Sequence, residues 1–173
     1  MKKLLFILVV AILILPTLAC SEPEDFVAYD LSLAGYHLGM SVEDADALRP
    51  IQYSGHIGDN QILYARIEQV FIDDLQVDLG LKFRDRRLYM IIVKFWDESI
   101  EEVKNRLLTS LGEGEDQSKT FTNFEGVQID QTVTRWTFPH ANMSFVWTSS
   151  NKNVASLSLA LKKGAIYRLV GNQ

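Results

Sequence analysis

The side chains able to do chemistry are few and widely spaced. His37, His56 and His140 are the three histidines of a 173-residue chain. None stands at a metal-ligand spacing from another histidine or from Cys20, the single cysteine. His37, His56 and Asp59 could meet around a cation only if the fold gathered them. Locally hydrogen-bonded loop histidines are the simpler expectation, so no metal and no cofactor are expected. No Gly-x-Ser-x-Gly, His-Glu-x-x-His or phosphate-loop pattern occurs. Asp73-Asp74 could imitate a carboxylate pair and Ser149-Ser150 a nucleophile, yet both suit turns. A hydrolase would have to assemble its nucleophile and base from distant residues. The expectation is a chain without a catalytic centre, with such a hydrolase as an alternative.

Cys20 has a distinctive setting. Lys2 and Lys3 precede an unbroken apolar run, Leu4–Leu15, of 12 residues. The run is shorter than the roughly 20 residues that span a bilayer, and it fits the apolar region of a secretory signal. Pro16 breaks it, and Thr17, Leu18 and Ala19 lead into Cys20. A small residue before a cysteine at this point resembles the lipobox of bacterial lipoproteins. The resemblance implies that Cys20 receives a diacylglycerol through a thioether, and that cleavage in front of it makes residues 1–19 a signal peptide. The chain departs from that pattern at Pro16 and at Thr17, where the family prefers an aliphatic residue. An ordinary secretory signal cut after Ala19 is the rival, because Thr17 and Ala19 are both small. Lipidation would also consume a thiol that can form no internal disulfide in an exported chain. The lipobox resemblance implies a membrane anchor through lipid on Cys20, facing the periplasm. Ser21 in place of an aspartate implies the outer membrane.

Losing residues 1–19 leaves 154 residues and takes the net charge from −5 to −7, since Lys2 and Lys3 leave. That length suits one domain. An acidic chain without a dense Lys/Arg run argues against nucleic acid and against an electrostatic grip on anionic lipid. The basic cluster Arg84, Arg86 and Arg87 reads as a solvated hairpin turn.

The elements follow from periodicity. Residues 20–34 read as the lipidated cysteine and an extended acidic tether, and residues 35–173 as one domain. Ser41 with Asp44 can cap a short helix over Val42, Ala45 and Leu48, stopped by Pro50. Leu75, Val77, Leu79, Leu81 and Phe83 alternate with polar residues, which predicts a half-buried strand. Ile62–Ile72 before it and Leu88–Trp96 after it complete an antiparallel meander. Ile100, Val103, Leu107 and Leu111 form one stripe of a second helix, closed by Gly112. Residues 113–131 read as a polar loop with a short strand near Phe121–Ile129. Strands over Thr132–Phe138, Met143–Thr148 and Val154–Leu161 follow, and Ile166–Val170 suggests a short edge element. The order predicts an α+β fold: a two-layer domain with an antiparallel sheet and two helices on one face. It also suggests a degenerate duplication of one α-β-β-β unit.

Three short motifs carry a second resemblance. Gly39-Met40-Ser41 opens the first helix, Leu111-Gly112 ends the second, and Trp136-Thr137-Phe138 sits in a strand. Together with the element order they resemble small envelope lipoproteins of the SmpA/OmlA type and the β-lactamase inhibitory proteins that share their fold. The resemblance covers residues 35–161. It implies a protein that binds other proteins, as an assembly partner or inhibitor. Leu48-Arg49-Pro50 departs from the pattern, as does the long loop before Trp136.

One strand is apolar on both sides. Tyr89, Ile91, Val93 and Phe95 make one row. Leu88, Met90, Ile92 and Trp96 make the other, interrupted by Lys94. Helices on one side of the sheet leave the second row needing a cover. A second core layer, closed by the tether, the long loop or the C-terminal tail, is the first expectation. The rival is an exposed face over Met90, Ile92 and Trp96, with Trp136 and Trp147 added, that binds an envelope protein. The function expected is a lipid-anchored, non-catalytic binding or assembly module. A carrier of lipid or another apolar ligand is the alternative, and an envelope hydrolase a further one.

Overall fold

Strand-forming alternation dominates the chain, and the structure is mostly antiparallel sheet with helices added. It is an α+β fold and not a closed barrel. The computed structural model describes residues 31–57, 62–72, 75–96 and 99–165. Cys20, the predicted signal, Asp59, Asp73-Asp74 and the Ile166–Val170 segment lie outside them.

Two short strands, β1 (Ser32–Leu33) and β2 (Tyr36–His37), pair with each other. The folded part therefore takes in residues that the sequence pattern assigns to the tether. Leu31 and Leu33 pack on the core, which gives them a reason to be held. Helix α1 (Val42–Leu48) follows, with Ser41 Oγ accepting the Asp44 N–H at 3.0 Å as predicted for its N-cap.

The main sheet contains β3 (Gln52–Ile57), β4 (Ile62–Ile72), β5 (Leu75–Arg84) and β6 (Arg87–Trp96). Helix α2 (Ser99–Leu111) interrupts the strands. Then come β7 (Glu115–Asp116), β8 (Lys119–Thr122), β9 (Gln128–Thr137), β10 (Ala141–Thr148) and β11 (Asn151–Leu161). Their spatial order is β3-β4-β5-β6-β11-β10-β9-β7, with β8 also on β9. The last strands of the two meanders, β6 and β11, pair at the centre.

Strand β3 is absent from the sequence reading, which expects three strands before α2. Its residues lack clean alternation, and a bulge between Tyr53 and Gly55 breaks its register. The rough pattern of β4 has the same cause, a bulge between Ile67 and Val70.

The β5–β6 turn uses Asp85 and Arg86, both at positive φ (49° and 63°). That two-residue form matches the twist of the flanking strands. The Arg84–Arg87 cluster is thus a hairpin turn, but it also does more. Arg86 O accepts the Val42 N–H at 3.1 Å, Leu88 N donates to Met40 O at 2.9 Å, and Arg86 pairs with Glu43. The Gly39-Met40-Ser41 turn is thereby clamped to the hairpin, which fixes where α1 begins.

One buried row supplies the core: Val77, Leu79, Leu81 and Phe83 on β5, and Leu88, Ile91, Val93 and Phe95 on β6. Phe145, Leu157 and Leu159 continue it. Val42 and Ala45 of α1 and Ile100 and Val103 of α2 join the same cluster. Leu107 packs against it, while Leu111, the last residue of the predicted stripe, is exposed. Gly112 follows at φ +74°, its N–H on Leu108 O at 2.9 Å, as a helix-ending glycine should be.

Candidate functional site

A register shift between Lys82 and Phe83 places Phe83 opposite Leu88 and Lys82 opposite Met90, so Tyr89 is the extra residue of a bulge. This moves Leu88 into the core row with Ile91, Val93 and Phe95. It corrects the expected rows, which put Leu88 with Met90 and Ile92. What remains on the far side of β6 is Met90, Ile92, Lys94 and Trp96.

Met90 and Ile92 are half-buried, Lys94 is exposed, and Trp96 is 37% exposed. Among the described residues no second layer covers it; the tether before residue 31 and the tail after residue 165, two of the covers the sequence reading offers, lie outside them. The in-register neighbours are small, and the Tyr64 ring lies over Gly80. Gly80 and Ser158 flank Ile92, Ala160 lies beside Met90, and Ser156 beside Lys94. Ser144 and Arg135 extend the Ile92 row outward. The result is a face with an apolar centre, bordered at Gly80 by the Tyr64 ring.

The five residues expected to form one face divide between two. Trp136 is opposite Met143, Met143 opposite Leu159, and Leu159 opposite Ile91, so Trp136 belongs to the core side. It is 6% exposed, and its Nε1–H donates to Gly112 O at 2.9 Å. Trp147 pairs with Ala155, itself opposite Phe95, and packs partly buried against the same core. Met90, Ile92 and Trp96 stay together on the open face, where Trp96 lies opposite Val154. Alternation alone could not assign the tryptophans, because facing depends on register between strands.

Charge gives the open face its second property. Asp78 lies in register with Lys94. Arg66 bonds Asp78 at 2.9 Å and Glu68 at 3.2 Å. The β4 bulge turns Gln69, at φ +55°, so that its N–H reaches Asp78 at 3.0 Å. Burial alone would push the Asp78 carboxyl up. The Gln69 amide and the Arg66 guanidinium outweigh it, helped by Lys94, and the net shift is downward. Lys94 thus shares Asp78 with Arg66, and Lys82, in register with Met90, is a second lysine beside the apolar residues.

A hairpin tip escaped the sequence reading, which treats residues 113–131 as a polar loop with one short strand near Phe121–Ile129, where the structure has two paired strands. Phe121 is 40%, Val127 53% and Phe124 97% exposed. Asn123 builds the turn: its Oδ1 accepts the N–H of Glu125 at 3.0 Å and of Val127 at 2.9 Å. Gly126, at φ +80°, donates to Asn123 O at 3.0 Å. Thr120 Oγ1 on Asp130 at 2.7 Å braces the base of the hairpin. The signal was present as Phe-x-x-Phe around an Asn turn residue.

Other candidates offer little chemistry. His37 is exposed on β2, and no group of three metal-binding side chains occurs among the described residues. Ser149 and Lys152 stand at a Ser-x-x-Lys spacing, which corrects a sequence reading that finds no such pattern. Ser149 Oγ is occupied in accepting the Asp130 N–H at 2.9 Å, in the β10–β11 turn. A cleft of about 370 Å³ between the end of α2 and β9 opens to solvent, and Glu113, Glu115 and Arg135 line it beside Trp136. Its charged lining does not suit an apolar ligand.

No protein-family model, no curated protein and no solved structure matches the chain.

Proposed function

We propose that this protein is a non-catalytic binding or assembly module of the bacterial envelope, held to a membrane by lipid on Cys20. The open face over Met90, Ile92 and Trp96 is its binding surface, and a second envelope component is its partner. The single observation that carries this reading is the partly exposed apolar row of Met90, Ile92 and Trp96 on β6. Sheet faces of folded proteins are normally covered or polar. A face with Ile and Met at its centre and lysines beside them resembles a protein interface, apolar inside and polar at the rim.

The architecture fits that use. The helices stack on the buried side as one layer and the sheet forms the other. Each half reads as helix followed by meander, and the two halves meet at β6–β11, which supports a duplicated α-β-β-β ancestor with an added strand. A two-layer domain of this kind spares one whole sheet face for recognition.

Photocrosslinking from residue 92 in intact envelopes tests the reading. A discrete protein adduct, weakened by Trp96→Ala, is expected. Silence from residue 92 would refute the open face as a binding surface. For the anchor, fatty-acid analogue labelling should be lost in Cys20→Ala, and labelling that persists would refute lipidation at that residue.

A further inference from the structure

The sheet turns basic at the end that carries the β5–β6 turn. Lys82 and Arg84 alternate with the buried Leu81 and Phe83, so both stand on the side away from the core. Tyr64 and Met90 are in register with Lys82, and Ile62 and Arg87 with Arg84. Two arginines directly opposite each other repel, so this pair calls for a counter-charge. Nearby acids are engaged: Glu43 pairs with Arg86, and Asp44 accepts from Ser41. Asp85 lies in the intervening turn. The Arg84 guanidinium sits 5.7 Å from the Tyr89 ring centroid, and its Nε is buried without a hydrogen-bond partner. Neither Lys82 nor Arg84 has an ion-pair partner among the described residues, whereas Lys94 and Arg66 share Asp78.

The described fold begins at this same end. Leu31 O accepts the Leu38 N–H at 3.5 Å, the Gly39 N–H donates to Leu88 O at 2.6 Å, and Ser41 bridges Arg87. Residues 21–30, just before it, hold Glu22, Glu24, Asp25 and Asp30 and no basic residue. Ten residues reach up to roughly 33–36 Å, and they have only to round the Asp85–Arg86 turn to arrive at Arg84. We propose that this acidic segment docks back on the β5–β6 hairpin, with the carboxylates of Glu22, Glu24 and Asp25 against Lys82 and Arg84. Covalent attachment through so short a stretch gives an effective concentration on the order of millimolar, enough for weak ion pairs to form. Anionic lipid would have to displace acids that the chain carries with it. Ile92 and Trp96 lie further along β6 and take no part, so the docking is independent of the binding surface proposed above.

The test places a photocrosslinker at residue 26 of the full-length protein in intact envelopes. An adduct within one chain, at monomer mass, is expected, joining residue 26 to residues 82–90. Glu22→Gln, Glu24→Gln and Asp25→Asn combined should cut its yield by roughly fivefold, the scale of an exposed ion pair. These three positions precede the described fold, so the variant keeps the test valid even if Arg84→Gln, which should cut the yield similarly, fails to fold. An adduct with phospholipid or with another chain, one mapping elsewhere in the same chain, a yield indifferent to the neutralised segment, or no adduct would each overturn the proposal. Adducts from residue 92 report on the binding surface separately, so either reading can fail alone.

Discussion

Trp96 and Trp136 lie on opposite faces of one sheet. Trp136 is reached from Ile91 through Leu159 and Met143, all on the core side. Trp96 is an odd number of residues from Ile91 along β6, with uninterrupted pairing to β11 between them. Side chains alternate along a strand, so the two indoles point apart. One closes the core and the other belongs to the surface proposed for recognition.

The contact between the α2 exit and β9 is tight. A Cβ on Gly114 would meet Thr134 Cγ2 at 2.7 Å, Arg135 O at 2.9 Å and Trp136 Cε2 at 3.0 Å. A backbone oxygen cannot swing aside. Gly114→Ala should therefore cost about 1–3 kcal/mol, the usual cost of overpacking. Urea unfolding checks this, and an unchanged midpoint would mean the segment is looser than described.

Asp78 makes stability depend on pH. Its carboxyl is held below the usual range in the fold, so the folded protein binds that proton less tightly than the unfolded chain. The contribution is complete above the unfolded value near ~4 and is lost as pH falls through the folded value. Asp78→Asn should cost about 1–2 kcal/mol at neutral pH. It should also lose less further stability than wild type between about pH 5 and about pH 3. Urea midpoints across that range decide it, and parallel curves would contradict a depressed Asp78.

Asn123 should matter locally. Its Oδ1 accepts two backbone N–H groups in an exposed turn. Asn123→Ala should leave global stability within about 1 kcal/mol, because water can replace both bonds. Amide exchange at Glu125 and Val127 should accelerate. Unchanged exchange would show that the tip is held by something else.

Much of this was legible beforehand. Strict alternation marked β5, the Ser41 cap marked α1, and Gly112 marked the end of α2. Bulges set the limit of that reading. The extra residue at Tyr89 moved Leu88 across the sheet, and the bulge at Tyr53–Gly55 hid β3. Sequence alternation is local, whereas the facing of Trp136 and Trp147 is set by pairing between strands. The Phe124 tip was missed because its neighbours are polar and its aromatics are exposed, which is the reverse of a core signal.

The most direct measurement compares the unfolding free energies of Trp96→Ala and Trp136→Ala in the soluble form, residues 21–173. Trp136 is buried and hydrogen-bonded to Gly112, so its truncation should cost about 3–5 kcal/mol. Trp96 is 37% exposed on the face proposed for recognition, and its truncation should cost less than about 1 kcal/mol with an unchanged m-value. Equal, large losses at both tryptophans would contradict the open face, because they would mean that the row of Met90, Ile92 and Trp96 is covered in the folded protein.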